Sequence, residues 1–166
     1  MSAEEHIKRS NESLAAVKRM EDGLAAGELD MAKYFHEDFV WRGNAGCGTK
    51  LGLEAFRNHW QKPIRSIFTD RKYHTEHFMA DGDWAACFGY IDALHSGEFM
   101  GIPATGKRVK IPYMDFWRVE DGRIADNPVS VDFASVLQQL GRDVFGGEGW
   151  EAYDRGEKQP PEDDSI

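Results

Sequence analysis

The spacing of apolar residues predicts helices in the first part of the chain. Over residues 4–27 one apolar stripe recurs at helical spacing, and Gly27 stands where a C-terminal cap belongs. The members of the stripe are Ile7, Leu14, Val17, Met20 and Leu24. Residues 28–36 predict a second, short helix with Leu29, Ala32 and Phe35 facing inward.

A third helix is predicted over residues 52–68. Its apolar side is formed by Leu53, Phe56, Trp60 and Ile64. Pro63 lies inside this pattern and is expected to end or kink the helix near Lys62, because proline lacks the backbone N–H that a helix interior needs. Between the second and third helices, residues 39–41 predict a short strand and residues 43–52 a glycine-rich loop.

After Arg71 the period changes from helical to alternating, which predicts strands. Four strands are expected, over residues 72–81, 84–95, 108–120 and 123–131. Asp-Gly pairs at 81–82 and 121–122 are strong turn signals, so the strands form antiparallel hairpins. Pro128 is expected to place a bulge or an unpaired edge position in the last strand, and residues 133–140 predict a closing helix.

Alternation also assigns faces to the strands. In the second strand the pattern favours an inward face formed by Trp84, Ala86, Phe88, Tyr90 and Leu94. In the third strand the inward face holds Asp115 among apolar neighbours, namely Val109, Ile111, Tyr113, Trp117 and Val119. A three-residue loop at the following turn would set Asp115 opposite Asn127 and Tyr113 opposite Val129.

The order of elements, helices first and then antiparallel strands, is typical of an α+β fold. A curved antiparallel sheet packed by the N-terminal helices forms a cone with an interior pocket. Such a pocket, mostly apolar with a few inward polar groups, suits a small-molecule ligand.

Charge and composition narrow the function classes. The chain has 166 residues, 29 acidic and 20 basic, with a formal net charge of -9. This charge opposes binding to nucleic acid or anionic membranes. No apolar run suits a membrane span or a secretory signal, and two cysteines form no disulfide scaffold, so we expect a cytoplasmic protein. The acidic stretch 148–166 predicts a flexible tail after a single domain over 1–147.

Several stretches of the chain resemble the SnoaL-like polyketide cyclase family. The resemblance covers residues 8–141, and the stretches that carry it are GLEAFRNHW (52–60), GIPATGK (101–107), DFWRVEDGRI (115–124) and VLQQLG (136–141). It implies the cone-shaped fold shared with nuclear transport factor 2, ketosteroid isomerase and scytalone dehydratase. It also implies a small-molecule ligand and a homodimer or higher homo-oligomer formed through the outer face of the sheet.

The resemblance also implies a chemistry that needs no cofactor and no metal. Cyclases of this family close a polyketide ring by an intramolecular aldol condensation, in which one carboxylate removes a proton α to a carbonyl. That aspartate follows a tryptophan on the last strand, whereas this chain reads Pro128 and Val129 there. Valine transfers no proton, so another carboxylate has the role or the chemistry differs.

Three residues are the candidate catalytic groups, and each has a structural alternative. Asp115 is the first, because a carboxyl among apolar neighbours has a raised pKa; the alternative is a structural bond to Arg118 or Arg57. Asp132 precedes the last helix, where an N-cap is the favoured interpretation. His95 ends a strand beside the 96–107 loop.

Seven further residues are candidate substrate contacts, with core packing as the alternative for each. They are Trp41, His59, Tyr90, Tyr113, Trp117, Asn127 and Val129. No histidine or carboxylate spacing predicts a metal site. Two functions remain open: an acid/base enzyme acting on a small apolar carbonyl compound, or a non-catalytic protein that binds small molecules on the same fold.

Overall fold

In a computed structural model, which describes residues 1–28 and 30–162, six strands form one curved sheet. The strands are β1 (Phe35–Gly43), β2 (Thr49–Leu51), β3 (Phe68–Asp81), β4 (Trp84–His95), β5 (Arg108–Glu120) and β6 (Arg123–Val131). Their order is β2-β1-β6-β5-β4-β3, antiparallel throughout except for the β1–β6 pair, which is parallel. The α+β architecture is confirmed, and so are the bounds of the last three predicted strands.

Helices cover one face of this sheet. The helices are α1 (Ala3–Ala25), α2 (Gly52–Phe56), α3 (Lys62–Ile67), α4 (Phe133–Gln139) and the short α5 (Glu151–Asp154), and the first four contact the sheet. Helix α1 packs across β3, β4 and β5. Two serines fix its position, because the Ser13 hydroxyl donates to the Gly82 carbonyl (2.7 Å) and the Gly82 N–H donates to Ser10 (2.8 Å). Gly27 ends α1 with a φ of 76°, as predicted.

The predicted second helix over 28–36 is wrong. Only a 3-10 turn, Met31–Lys33, forms there, and β1 begins at Phe35. Met31 and Phe35 are both buried, so the apolar spacing reflects a turn leading into a strand. Leu29 lies outside the described residues.

The predicted third helix continues past Pro63. A π-helical turn, Arg57–Gln61, joins α2 to α3, and the Lys62 N–H donates to the Arg57 carbonyl five residues back. Pro63 has no N–H for the His59 carbonyl, and its ring would crowd that carbonyl in a regular α-helix. The wider turn relieves this conflict without ending the helix.

The predicted inward face of β4 is also wrong. Its buried face is formed by the other alternating set, which includes Ala85, Cys87, Ile91, Ala93 and His95. These residues are mostly small, since α1 crosses the sheet here and leaves little space. The larger Trp84 and Tyr90 lie on the outer face, where the Tyr90 ring stacks on His74 with centroids 4.6 Å apart.

The β5–β6 hairpin differs from the predicted register by two residues. Asp121 and Gly122 both have positive φ and form a two-residue loop, and a bulge follows at once in β6. Asp115 therefore stands opposite Val129, and Tyr113 opposite Val131. A shift of two residues keeps every side chain on its predicted face.

Pro128 lies in an interior strand, against expectation, and Asn127 compensates for it. The Asp132 N–H donates to the Pro112 carbonyl, so in this register the N–H at position 128 would serve the Phe116 carbonyl. Proline has none. The Asn127 side-chain amide donates to that carbonyl instead, at 2.8 Å.

The C-terminal segment around α5 adds little to the core. Trp150 beside α5 is 81% exposed, whereas Ala152 is buried. The last part of the predicted tail, residues 163–166, lies outside the described residues. No described helix is both long and apolar enough to cross a membrane.

We predict that Asn127→Ala lowers the free energy of unfolding by about 1–3 kcal/mol, because the partly buried Phe116 carbonyl loses its donor. Pro128→Ala in the same background should recover part of this loss, since alanine restores the missing backbone N–H. Urea denaturation of both variants and of wild type is the measurement, with the exposed Ser130→Ala as control. Equal stability of the single and double variants would contradict this role for Asn127.

Candidate active site

A cavity of about 110 Å³ lies between the concave face of the sheet and the helices. Its walls come from α1, α2, the π-helical turn, α3 and strands β1, β3, β4, β5 and β6. Phe35, Trp117 and Val129 are buried at its closed side, and Tyr73, which is 47% exposed, marks its open side. The cavity lies where the sequence analysis placed the interior pocket.

Asp115 is the polar centre of this cavity. Strand β5 points it inward between Tyr113 and Trp117, and its Oδ1 accepts a hydrogen bond from the Asn127 amide at 3.1 Å. Burial raises the pKa of the Asp115 carboxyl to about 7, and the bond from Asn127 opposes this rise. Within the described residues, neither Arg57 nor Arg118 bonds to Asp115. Its one hydrogen-bond partner there is Asn127.

Val129 faces the same cavity directly across from Asp115. The register makes this a pair without mutual backbone hydrogen bonds, in which the side chains are closest, with Cβ atoms about 5 Å apart. The cavity therefore holds a carboxyl group on the strand next to the position where the family resemblance implies one.

Aromatic rings form the wall on the β1 side. The Trp41 and Trp60 rings lie 4.2 Å apart, and Trp60 stacks on Phe133 at 5.6 Å. Phe56 packs against Trp41 at 6.1 Å. Flat apolar surfaces of this kind suit a planar ligand.

Tyr113 and Trp117 complete the wall on β5. The Tyr113 hydroxyl forms a 2.8 Å hydrogen bond with the Thr75 hydroxyl. Burial raises the pKa of Tyr113, so this phenol stays neutral at physiological pH and acts only as a hydrogen-bonding group.

Of the predicted substrate contacts, five line the cavity: Trp41, Tyr113, Trp117, Asn127 and Val129.

Four predicted site residues lie outside the cavity. Asp132 caps α4, with its Oδ1 accepting from the Ser135 N–H at 2.9 Å. His59 is exposed on the π-helical turn, and Tyr90 lies on the outer face of the sheet. His95 is fully buried, and its Nδ1 lies 2.9 Å from the Thr105 hydroxyl.

Three of these placements, those of Asp132, Tyr90 and His95, have a local cause. Asp132 stands at the first turn of a helix, where its side chain satisfies a free N–H. Tyr90 belongs to the alternating set of β4 that faces outward. His95 belongs to the inward set, but at the end of β4, where the 96–107 loop covers it.

Three polar residues that the sequence analysis did not identify line the cavity: Glu21, Gln61 and Arg65. Gln61 and Arg65 are four residues apart and so share a helix face. The π-helical turn also brings Gln61 below Phe56, five residues earlier. Glu21 projects from α1 beside Met20.

Glu21 is the second cavity carboxyl with a perturbed pKa. Burial raises its pKa to about 7, and the negative charges of Asp115 and Asp22 add to the rise. Among the described residues it has no hydrogen-bond or ion-pair partner. Its sequence signal was available, because Glu21 is four residues after Val17 and so lies within the apolar stripe of α1.

The cavity does not resemble a metal centre. Within residues 1–28 and 30–162, no three histidine, cysteine or acidic side chains cluster as metal ligands would. Cys87 lies beside Asp115 in the sheet, and burial raises the pKa of its thiol. Such a thiol is a poor nucleophile at neutral pH.

The sequence of this chain is similar to sequences of the SnoaL-like polyketide cyclase family. The sequence profile of the SnoaL-like polyketide cyclase family matches residues 15–140. Among curated proteins, the aklanonic acid methyl ester cyclase DnrD of Streptomyces peucetius is 27% identical over 139 residues, which are 81% of this chain and 94% of DnrD. The corresponding cyclase AcmA of Streptomyces galilaeus is 23% identical over 79% of this chain and 92% of its own.

Solved structures show the same fold. Wild-type IdmH of Streptomyces antibioticus superposes with a TM-score of 0.69 at 23% identity, covering 78% of this chain and 99% of IdmH. A SnoaL-like structure from Jannaschia sp. CCS1 superposes with a TM-score of 0.70 at 16% identity, covering 78% of this chain and 92% of its own.

We predict that wild type loses stability with rising pH in a way that Asp115→Asn does not. Because the folded-state pKa is raised, the folded protein keeps a proton that the unfolded chain releases between about pH 4 and 7. The free energy of unfolding of wild type should therefore fall by about 4 kcal/mol more than that of the variant over this range.

Urea unfolding at pH 4, 5.5, 7 and 8 measures this difference. Asp38→Asn is the matched control, because Asp38 is exposed on β1. Parallel pH curves for wild type and Asp115→Asn would contradict the raised pKa.

Proposed function

Because the chain belongs to the SnoaL-like polyketide cyclase family, we propose that it is a cofactor-independent enzyme in which Asp115 transfers the proton. The reaction we propose is removal of a proton α to a ketone or ester carbonyl, followed by attack of the resulting enol on a second carbonyl of the same molecule. The observation that carries the proposal is the buried carboxyl of Asp115 at the centre of an apolar cavity.

The environment of Asp115 suits this role. A general base works best when its pKa lies near the operating pH, and burial brings the pKa of Asp115 to about 7. The single bond from Asn127 holds Oδ1 and leaves Oδ2 for a substrate C–H. Asp115 thus takes the place of the aspartate that the family resemblance implies at position 129, one strand away on the same face.

A planar aromatic polyketide is the substrate class that we propose. The curated relatives act on aklanonic acid methyl ester by name. In this chain the Trp41 and Trp60 rings, with centroids 4.2 Å apart, form an apolar aromatic wall of the cavity that holds Asp115. A cavity of about 110 Å³ is smaller than the 300–1,000 Å³ typical of drug-sized ligands. We therefore propose that the substrate is small or only partly enclosed.

We predict that the protein catalyses deuterium exchange at the α-carbon of 2-indanone, a small flat ketone, in D₂O. Asp115→Asn should lower this rate on the order of 10²-fold, because the variant keeps the shape but not the base. Proton NMR measures the rate against a protein-free background. Asp38→Asn should exchange as fast as wild type, and an unchanged rate in Asp115→Asn would contradict the role of Asp115.

A rescue experiment tests the geometry of this site. We predict that Val129→Asp in the Asp115→Asn background recovers part of the exchange rate, because the carboxyl returns to the facing position on β6. Ser130→Asp, which faces away from the cavity, is the control. Equal deuterium-exchange rates in the two double variants would contradict the idea that a carboxyl at position 129 can replace the one at position 115.

Binding without catalysis is the second candidate function. It is favoured by Val129, which gives the cavity an apolar residue where the family resemblance implies the base. In this case 2-indanone would raise the melting temperature of wild type and Asp115→Asn alike, with no exchange above background in either.

We also propose that the protein is a cytoplasmic homodimer joined through the outer face of its sheet. Both cysteines are buried and free, which suits a reducing compartment. On the outer face, Met79 and Phe116 flank Ala86 in one row across three strands, and Met114 lies one row further. Met114 and Phe116 are about half exposed or more, so a second copy would cover a contiguous apolar patch.

We predict that Phe116→Arg shifts the protein from dimer to monomer, because it buries a charge in the proposed interface. Light scattering coupled to size-exclusion chromatography measures the mass. Ile7→Arg, a charge at an exposed apolar residue of α1, should leave the dimer intact. A monomeric wild type would overturn the proposal.

A further inference from the structure

Two carboxyl groups, not one, face the cavity. Asp115 comes from β5 and Glu21 from α1, so they approach the interior from opposite layers of the fold. Both line the same cavity, and the negative charge of Asp115 adds to the rise in the pKa of Glu21. Ionisation of Asp115 therefore makes ionisation of Glu21 harder.

Glu21 is held in place but not neutralised. Ser10 and Ser13 tie α1 to the Gly82 turn, which fixes the helix that carries Glu21. Glu21 is partly buried and lines the cavity. Its carboxyl has no hydrogen-bond or ion-pair partner among the described residues, so it is available to a ligand in the cavity.

The titratable or charged groups around Glu21 come from every element packed against it. They are Asp22 on its own helix, Arg65 on α3, Tyr73 on β3, Cys87 on β4, and Tyr113 and Asp115 on β5. Arg65 is the cation among the cavity-lining residues, and no ion pair within 4 Å joins it to Glu21 in the described chain. The nearby charges therefore favour the protonated form of Glu21 when Asp115 is ionised.

We propose that Glu21 is a second catalytic residue of the cavity, which gives its proton to the substrate carbonyl oxygen while Asp115 removes the α-proton. This inference rests on the proposed function. The C–H electron pair becomes the C=C bond of an enol, the carbonyl oxygen becomes its hydroxyl, Asp115 becomes protonated and Glu21 ionised. The proton has moved across the pair, and no charge is created in the cavity.

Ring closure then restores the starting state. The enol carbon forms a C–C bond to the second carbonyl of the same molecule, and the enol O–H returns its proton to Glu21. The oxygen of the attacked carbonyl takes the proton from Asp115. Every proton is accounted for, and neither an oxidant nor a metal is required.

A titration of the whole protein tests the carboxyl pair without any substrate. Carbon-13 NMR of the side-chain carboxyls should show Glu21 with a midpoint well above its ordinary range. Asp115→Asn should lower that midpoint, because it removes the opposing charge. A Glu21 midpoint in the ordinary range, or one that Asp115→Asn leaves unchanged, would overturn the pair.

Exchange of 2-indanone in D₂O tests the catalytic role. Glu21→Ala should lower the rate at least tenfold, within the range that one acid/base group supplies. Glu21→Gln keeps a neutral hydrogen-bond donor and should retain more of the rate, while the decline of rate at alkaline pH moves upward or disappears. Glu12→Gln, exposed on the same helix, is the control and should match wild type.

The outcomes separate the two proposals. If Asp115→Asn abolishes exchange and Glu21→Ala exchanges like wild type, Glu21 has no catalytic role and the proposed function stands. If Asp115→Asn exchanges like wild type, the proposed function fails, and the NMR titration still decides whether the two carboxyls form a pair. Circular dichroism confirms that each variant is folded.

Discussion

A single side-chain amide joins the integrity of the sheet to the chemistry of the cavity. One N–H of Asn127 replaces the backbone donor that Pro128 lacks, and the other reaches the carboxylate of Asp115. Asn127 is nearly fully buried, so water cannot take over either of these hydrogen bonds if it is lost. Because the Phe116 carbonyl is fixed by the sheet, the amide has little freedom to turn, and Asp115 is oriented by the backbone itself.

Much of this arrangement was predictable from the sequence, and for a clear physical reason. In β5 every inward residue except Asp115 is apolar, so Asp115 stood out on that face, although the outward face also carries Met114 and Phe116. The predicted register of the β5–β6 hairpin was wrong by two residues, but the predicted faces of its side chains were correct, because a shift of two residues preserves them. The α+β class followed from the order of helices and strands.

The failures also have physical causes. In β4 both alternating sets contain apolar residues, and the sequence does not show that α1 crosses the sheet and admits only small side chains there. Hence Tyr90 was assigned to the wrong face. His95 and Asp132 lie at strand ends, where a loop or a helix start decides the environment. Glu21 has a weak sequence signal, because acidic residues are common on amphipathic helices and its place beside the apolar stripe does not by itself indicate a cavity.

Val129 affects the ionisation of the two carboxyl groups in the cavity. With valine there, the cavity floor on β6 is apolar beside Asn127, and in the proposed mechanism the base comes from β5 instead. An apolar floor strengthens the desolvation that raises the pKa of Asp115, and it also makes a second ionised group in the same space unfavourable. Two ionised carboxyls in this cavity are therefore unfavourable together, and the charge of Asp115 adds to the rise in the pKa of Glu21. In the proposed mechanism this constraint gives the pair its two roles, with Asp115 as the base and Glu21 as the acid.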